Sequence, residues 1–163
     1  MRLKVTCIYL FMALSAACGG GDDDGDAQSA EIDACEVVTR EDATGLFGQP
    51  ASPDEGALVT DPALLGECLW TWEATDASSD LLAIYVWNDP DGLYYTAEER
   101  AEPFDIGEEG YILVDDSTGI DIGWRQDDKA IYLEFFTIGP MVPAATTRVD
   151  AVKAIAQQAE TRL

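Results

Sequence analysis

The sequence predicts an α+β fold: a mainly antiparallel, twisted sheet of about five strands, flanked by an N-terminal and a C-terminal helix and closed by one disulfide. Three observations carry it. Short stretches of strand-like alternation follow one another through turn signals between residues 67 and 138. The C-terminal residues 147–163 hold a clean helical stripe. Cys35 and Cys68 are the two cysteines left for each other once the N-terminal segment is set aside.

Taken in order, the first element of the domain is a short helix. Thr39 precedes Arg40–Phe47 and has Asp42 three residues on, the spacing of a capping box. Gly48 and Pro50 end the helix. Residues 51–66 hold Pro53, Gly56, Pro62 and Gly66 and read as loop. From Glu67 to Glu73 the chain alternates, with Cys68, Trp70 and Trp72 on one face and Leu69, Thr71 and Glu73 on the other. Leu81–Trp87 is apolar on both faces, as a central, covered strand would be. Asn88-Asp89-Pro90-Asp91-Gly92 is a turn, and Leu93–Glu102 reads as a short helix.

Tyr111–Val114, Gly119–Gln126 and Ala130–Ile138 read as further strands, the last two joined as a hairpin about Asp127-Asp128. That turn sets a register. Trp124 faces Ile131, Ile122 faces Leu133 and Ile120 faces Phe135, one apolar face; Asp121 then stands directly opposite Glu134 on the other. Opposed like charges are destabilising. A diagonal cation would relieve them, with Arg125 or Lys129 nearest by sequence, and so would a bound cation or a shared proton. Asp121 and Glu134 are therefore the candidate ligand or cation site. In the final helix Thr147 and Asp150 have capping-box spacing. Val149, Val152, Ala156, Ala159 and Leu163 form the apolar stripe, with Lys153, Gln157 and Glu160 opposite.

The domain occupies residues 34–163. Ahead of it, Arg2 and Lys4 precede an apolar run from Val5 to Leu14, followed by Ser15-Ala16-Ala17-Cys18. This is the pattern of a secretory signal peptide over residues 1–17. Cys18 is placed as the lipidated first residue of a bacterial lipoprotein. Ser15-x-Ala17 also fits an ordinary cleavage site, which would release a soluble protein. The apolar run is too short to span a bilayer, which takes about 20 residues. Residues 18–33, with Gly19-Gly20-Gly21 and a run of aspartates, read as an acidic tether after the lipidated cysteine.

The chain of 163 residues holds 9 Lys+Arg and 32 Asp+Glu, and no histidine. Without Arg2 and Lys4 it keeps seven basic residues, a net charge of −25. Such a field repels nucleic acid and anionic headgroups and attracts cations or basic partners. A generally acidic surface, as in organisms from salty habitats, is the better account of it. Cys7 leaves with the signal peptide and Cys18 goes to lipid, so Cys35 and Cys68 are expected to pair in an oxidising compartment. Closing that loop contributes roughly 3–4 kcal/mol.

Cys35, Leu46-Phe47-Gly48, Cys68-Leu69-Trp70 and Gly107-Glu108-Glu109-Gly110-Tyr111, with a helix at the end, form a pattern. In it the chain resembles an uncharacterised family of small bacterial lipoproteins common in actinobacteria. Gly110 stands where the family usually has Ala. The resemblance implies a lipid-anchored extracytoplasmic domain with its cysteines bridged. A weaker similarity is to the extracellular sensor domains of bacterial receptor kinases. Neither supplies catalytic residues.

Chemistry is sparsely signalled. The absence of histidine excludes Ser-His-Asp and Cys-His nucleophiles, and two thiols without histidine make no usual zinc site. Asp89, Asp91, Gly92 and Glu98 fall in calcium-loop register from Trp87, but Trp87 stands at the first ligand position; a capping turn is the better account. No cofactor and no metal are expected. Trp70, Trp72, Trp87 and Trp124 read either as core or as an apolar groove for a lipid, glycan or peptide. The resulting expectation is a non-enzymatic binding or sensing module, monomeric, held to a membrane by its lipid and meeting an envelope protein or an apolar ligand. A carboxylate-dependent hydrolase of envelope glycans and a structural spacer are the alternatives.

Overall fold

The computed structural model describes residues 31–54, 61–74, 78–97, 99–115, 119–139 and 144–163. The signal segment, Cys18, most of the tether and Glu98 lie outside them. The chain is α+β with an antiparallel sheet of seven strands in the order β1-β2-β3-β7-β6-β5-β4. These are β1 (Ser52–Pro53), β2 (Leu64–Glu73), β3 (Ser79–Asn88), β4 (Glu102–Pro103), β5 (Glu109–Asp115), β6 (Gly119–Gln126) and β7 (Lys129–Ile138). The five expected strands are there. The two extra ones are two-residue edges, each ending in a proline, which an edge tolerates because its N–H need not pair.

Three helices, α1 (Ala34–Val37), α2 (Arg40–Phe47) and α3 (Val149–Arg162), pack on one face of the sheet. The capping box of α2 forms as expected, and Gly48 closes the helix in the left-handed region at φ 69°. Before α3 the expectation fails. Thr147 lies inside a 3-10 turn, Ala145–Arg148, and its hydroxyl donates to the Ala144 carbonyl instead of capping α3. The stripe of α3 is otherwise as read: Val152, Ala156 and Ala159 are buried with Ile155, and Val149 and Leu163 pack at its margins.

The β6–β7 register is the one expected. Trp124 pairs with Ile131, Ile122 with Leu133, Ile120 with Phe135, and Asp121 with Glu134. The six apolar residues are fully buried and form the centre of the core. Leu82, Ile84 and Val86 of β3 extend it towards Cys68 and Trp70 of β2. Cys35, on α1, is bonded to Cys68, so the staple joins β2 to the one-turn helix ahead of α2. Trp70 lies over this joint and donates its indole N–H to the Val38 carbonyl at 2.8 Å.

Two arginines far away in sequence lock the helical layer. Arg162 donates to Asp42 (2.6 Å) and to the Val37 carbonyl (2.8 Å). Arg148 donates to the Leu46 carbonyl and to Asp80, both at 2.8 Å, and its guanidinium lies over the Phe135 ring. Asp80 is fully buried. Removing one partner of such a pair leaves a buried charge uncompensated. Arg148→Ala should therefore cost about 3–5 kcal/mol in urea denaturation. The double variant Asp80→Leu with Arg148→Met should recover most of that loss, because it removes the charge as well as the bond. An additive double loss would show that Arg148 acts by packing alone.

Candidate functional site

Strand alternation separates two faces. Even-numbered residues of β3 and odd-numbered residues of β7 point to the helices; Tyr85, Trp87, Tyr132 and Glu134 point away. Across this second face the pairs run Glu67–Tyr85, Tyr85–Tyr132 and Tyr132–Gly123 in one row. In the next row they run Leu69–Ala83, Ala83–Glu134, Glu134–Asp121 and Asp121–Leu113.

A strap crosses that face where Leu93–Glu102 was expected to be helical. Two side chains hold it, the first being Asp89, 1% exposed. Its carboxylate accepts the backbone N–H groups of Leu93, Tyr94 and Tyr95, the last two at 3.0 and 2.9 Å. Tyr132 supplies the second clamp: its hydroxyl donates to the Tyr94 carbonyl and accepts the Thr96 N–H at 3.0 Å. Of these groups the Tyr94 carbonyl is the one that a helix beginning at Leu93 would have paired internally, and the Tyr132 hydroxyl takes it. Rings complete the strap. Tyr94 stacks on Trp87 with centroids 5.0 Å apart and planes 12° from parallel, and Tyr95 leans on Tyr111 at 5.9 Å. Gly123 leaves the space that Tyr111 fills, since a Cβ there would come within 2.5 Å of the Tyr111 ring.

Beside the strap lies an open cleft of about 380 Å³, lined by Tyr85, Trp87, Tyr94, Thr96, Tyr132 and Glu134. Its size suits a small ligand. A larger hollow of about 940 Å³ is bordered by residues 31–34, 62 and 64–67; no aromatic ring among the described residues lines it.

Negative potential marks the cleft. Burial pushes the Glu134 carboxyl above the usual carboxylate range, and the Asp121 carboxylate opposite pushes it further. The Tyr85 phenol is raised by burial, then by Glu134 and Glu67. Tyr94 is raised by burial and by Asp61, whose carboxylate lies 3.4 Å from its hydroxyl. Under the strap Tyr95 reaches about 12, through burial, Glu109 and Tyr132 against a smaller opposing effect of Arg125.

The expected diagonal cation is not in the sheet. Residues diagonal to the pair are Tyr111, Asp115, Tyr132 and Phe136 for Asp121, and Gly119, Gly123, Leu81 and Tyr85 for Glu134. Arg125 stands opposite Ala130, two pairs beyond, near Gly92 and lowering the Asp89 pKa; Lys129 pairs with Asp128. Nor do the four tryptophans share a groove. Trp70 and Trp124 are buried in the helix-side core, Trp72 packs at its margin, and Trp87 alone of the four lines the cleft. Tyr94, Thr96 and the clamp by Asp89 were not legible as site residues; the parity of Tyr85 and Trp87 against Tyr132 and Glu134 is the signal that could have marked the face. The calcium-loop register has no counterpart: Asp89 is committed to three N–H groups, and among the described residues no cluster of acids or cysteines could hold a metal ion.

Two outcomes follow for the carboxylates. Burial alone would raise the Asp89 pKa, but its three N–H partners and Arg125 outweigh that and hold it low. Its stabilisation is therefore complete above the unfolded value of about 3.9 and lost as pH falls through the lower folded value. Asp89→Ala should cost about 2–4 kcal/mol at pH 7. In acid titrations followed by circular dichroism, the gap to the native protein should close below about pH 4. Glu134 has the opposite sign. With its folded pKa raised, stability falls as pH rises from the unfolded value of about 4.3 through the folded one. Glu134→Gln should melt higher than the native protein at pH 8 and alike near pH 4 in calorimetry; a lower melting point at pH 8 would mean that the carboxylate is held by a partner. No family model, curated protein or solved structure matches this chain.

Proposed function

We propose that this protein is a lipid-anchored, extracytoplasmic binding or sensing module without catalytic activity, and that its ligand enters the strapped cleft. The observation that carries the reading is the cleft itself: four aromatic rings and one carboxylate around about 380 Å³, held by a strap with its own buried clamp. Anchoring rests on the Arg2–Cys18 pattern. The tether separates anchor from core, so the two properties are independent.

The hydrolase reading draws on one feature, a raised acid, Glu134, directly opposite a second carboxylate, Asp121. It is second because the cleft wall includes only the first of them.

Two measurements test the proposal. Cys18→Ser should move the protein from the membrane to the soluble fraction without changing its melting temperature; membrane association that resists carbonate would refute the anchor. Small-molecule extracts of the cell envelope should shift the tryptophan emission of the native protein, and Trp87→Phe should abolish at least half of that shift, by the order of one hot-spot ring among several contacts. Release of reducing sugar from envelope glycan, lost in Glu134→Gln, would replace binding by hydrolysis.

A further inference from the structure

We propose that the strapped cleft selects a small organic cation, one carrying a methylated or quaternary ammonium group. This rests on the cleft being a binding site, as proposed above, and names the chemistry of what it binds. Three observations meet there. Four of the six lining residues are Tyr85, Trp87, Tyr94 and Tyr132, and aromatic rings attract a cation through their negative faces, most strongly where water is excluded. The fifth, Glu134, places a carboxylate in the wall, with Asp121 directly opposite it on β6. Around these, Glu67 pairs with Tyr85 from β2, and Asp61 lies at the Tyr94 hydroxyl. Arg125 shares the face but stands beyond the strap, opposite Ala130 and near Gly92.

The competing ligands fit less well. An anion would meet the Glu134 carboxylate in the wall. A hard metal ion needs six to eight oxygens, whereas the described residues hold no such grouping and the cleft walls are rings. A neutral apolar ligand would bury Glu134 further with nothing to offset its charge. An ammonium group wrapped in methyls satisfies both kinds of wall at once: its charge meets the Glu134 carboxylate and its methyl surface meets the rings. Burial first, and nearby carboxylates second, raise the phenols of Tyr85 and Tyr94.

The test uses the full chain, purified from membranes in an uncharged detergent. Tetramethylammonium, choline and 3,3-dimethylbutan-1-ol, the neutral carbon isostere of choline, are titrated by calorimetry and by tryptophan emission. The expected result is binding of at least one cation, with the isostere at least tenfold weaker than choline. Glu134→Gln, nearly isosteric and checked for folding by near-ultraviolet circular dichroism, should weaken cation binding at least tenfold. The comparison of choline with its isostere is made on the native protein and needs no variant. Absence of cation binding overturns the inference, as does an isostere that binds as tightly as choline or cation affinity unchanged in Glu134→Gln. If the isostere or an envelope extract still shifts the emission in a Trp87-dependent way, the cleft remains a binding site for a different ligand. If nothing does, the binding reading falls with the inference.

Discussion

The register of the β6–β7 hairpin is the constraint on which the rest of this fold depends. Side chains alternate with a period of two, so a one-residue slip would turn the whole face over. Trp124, Ile122, Ile120, Ile131, Leu133 and Phe135 would leave the core, and Asp121 and Glu134 would enter it. The two-residue turn resists the slip. Asp127 takes a positive φ of 55°, a conformation that aspartate tolerates better than most side chains, and Asp128 returns a carbonyl to the Asp89 N–H. Fixed in this way, the hairpin gives the helices an apolar floor and puts Tyr132 and Glu134 on the opposite face.

That second face is built by a different kind of force. The helix side is held by burial of aliphatic and aromatic surface, which is non-directional. The strap is held by directed bonds: Asp89 to three N–H groups, Tyr132 to a carbonyl and an N–H. Few atoms are involved, and each has a fixed direction, so the strap lies in one place and leaves a defined gap beside it. Loops that carry function on a rigid scaffold follow this division.

What was legible in the sequence was what repeats locally. Alternation in 67–73 and 119–138, the Thr39/Asp42 box and the stripe of α3 each announce themselves within a few residues. What was not legible depends on partners far away. The Arg148–Asp80 bond spans 68 positions and Arg162–Asp42 spans 120, and nothing near either arginine marks it. Leu93–Glu102 has a composition compatible with a helix; the hydroxyl of Tyr132, 38 positions away, takes the Tyr94 carbonyl that a helix would have used. Thr147 misleads for the opposite reason, since a local 3-10 turn uses its hydroxyl first. The tryptophans were ambiguous because Leu81–Trp87 is apolar on both faces, which hides the parity that sends Trp87 one way and Trp70 and Trp124 the other.

Parity also explains why the acid pair matters. Asp121 and Glu134 could each be replaced by a threonine or a valine without disturbing the core, and the sheet would be spared a like-charge repulsion. Their row is closed on both sides by Ala83 and Leu113, both buried, and none of the diagonal positions carries a positive charge. In a chain already carrying a net charge of −23, this arrangement adds to self-repulsion. Stability alone does not favour it. Local choices that oppose the fold's own stability are expected where a site is maintained. The Arg148–Asp80 pair is the internal contrast: in the helix-side core a buried carboxylate is given its guanidinium by the fold, whereas on the strapped face Glu134 lines a cleft walled by rings.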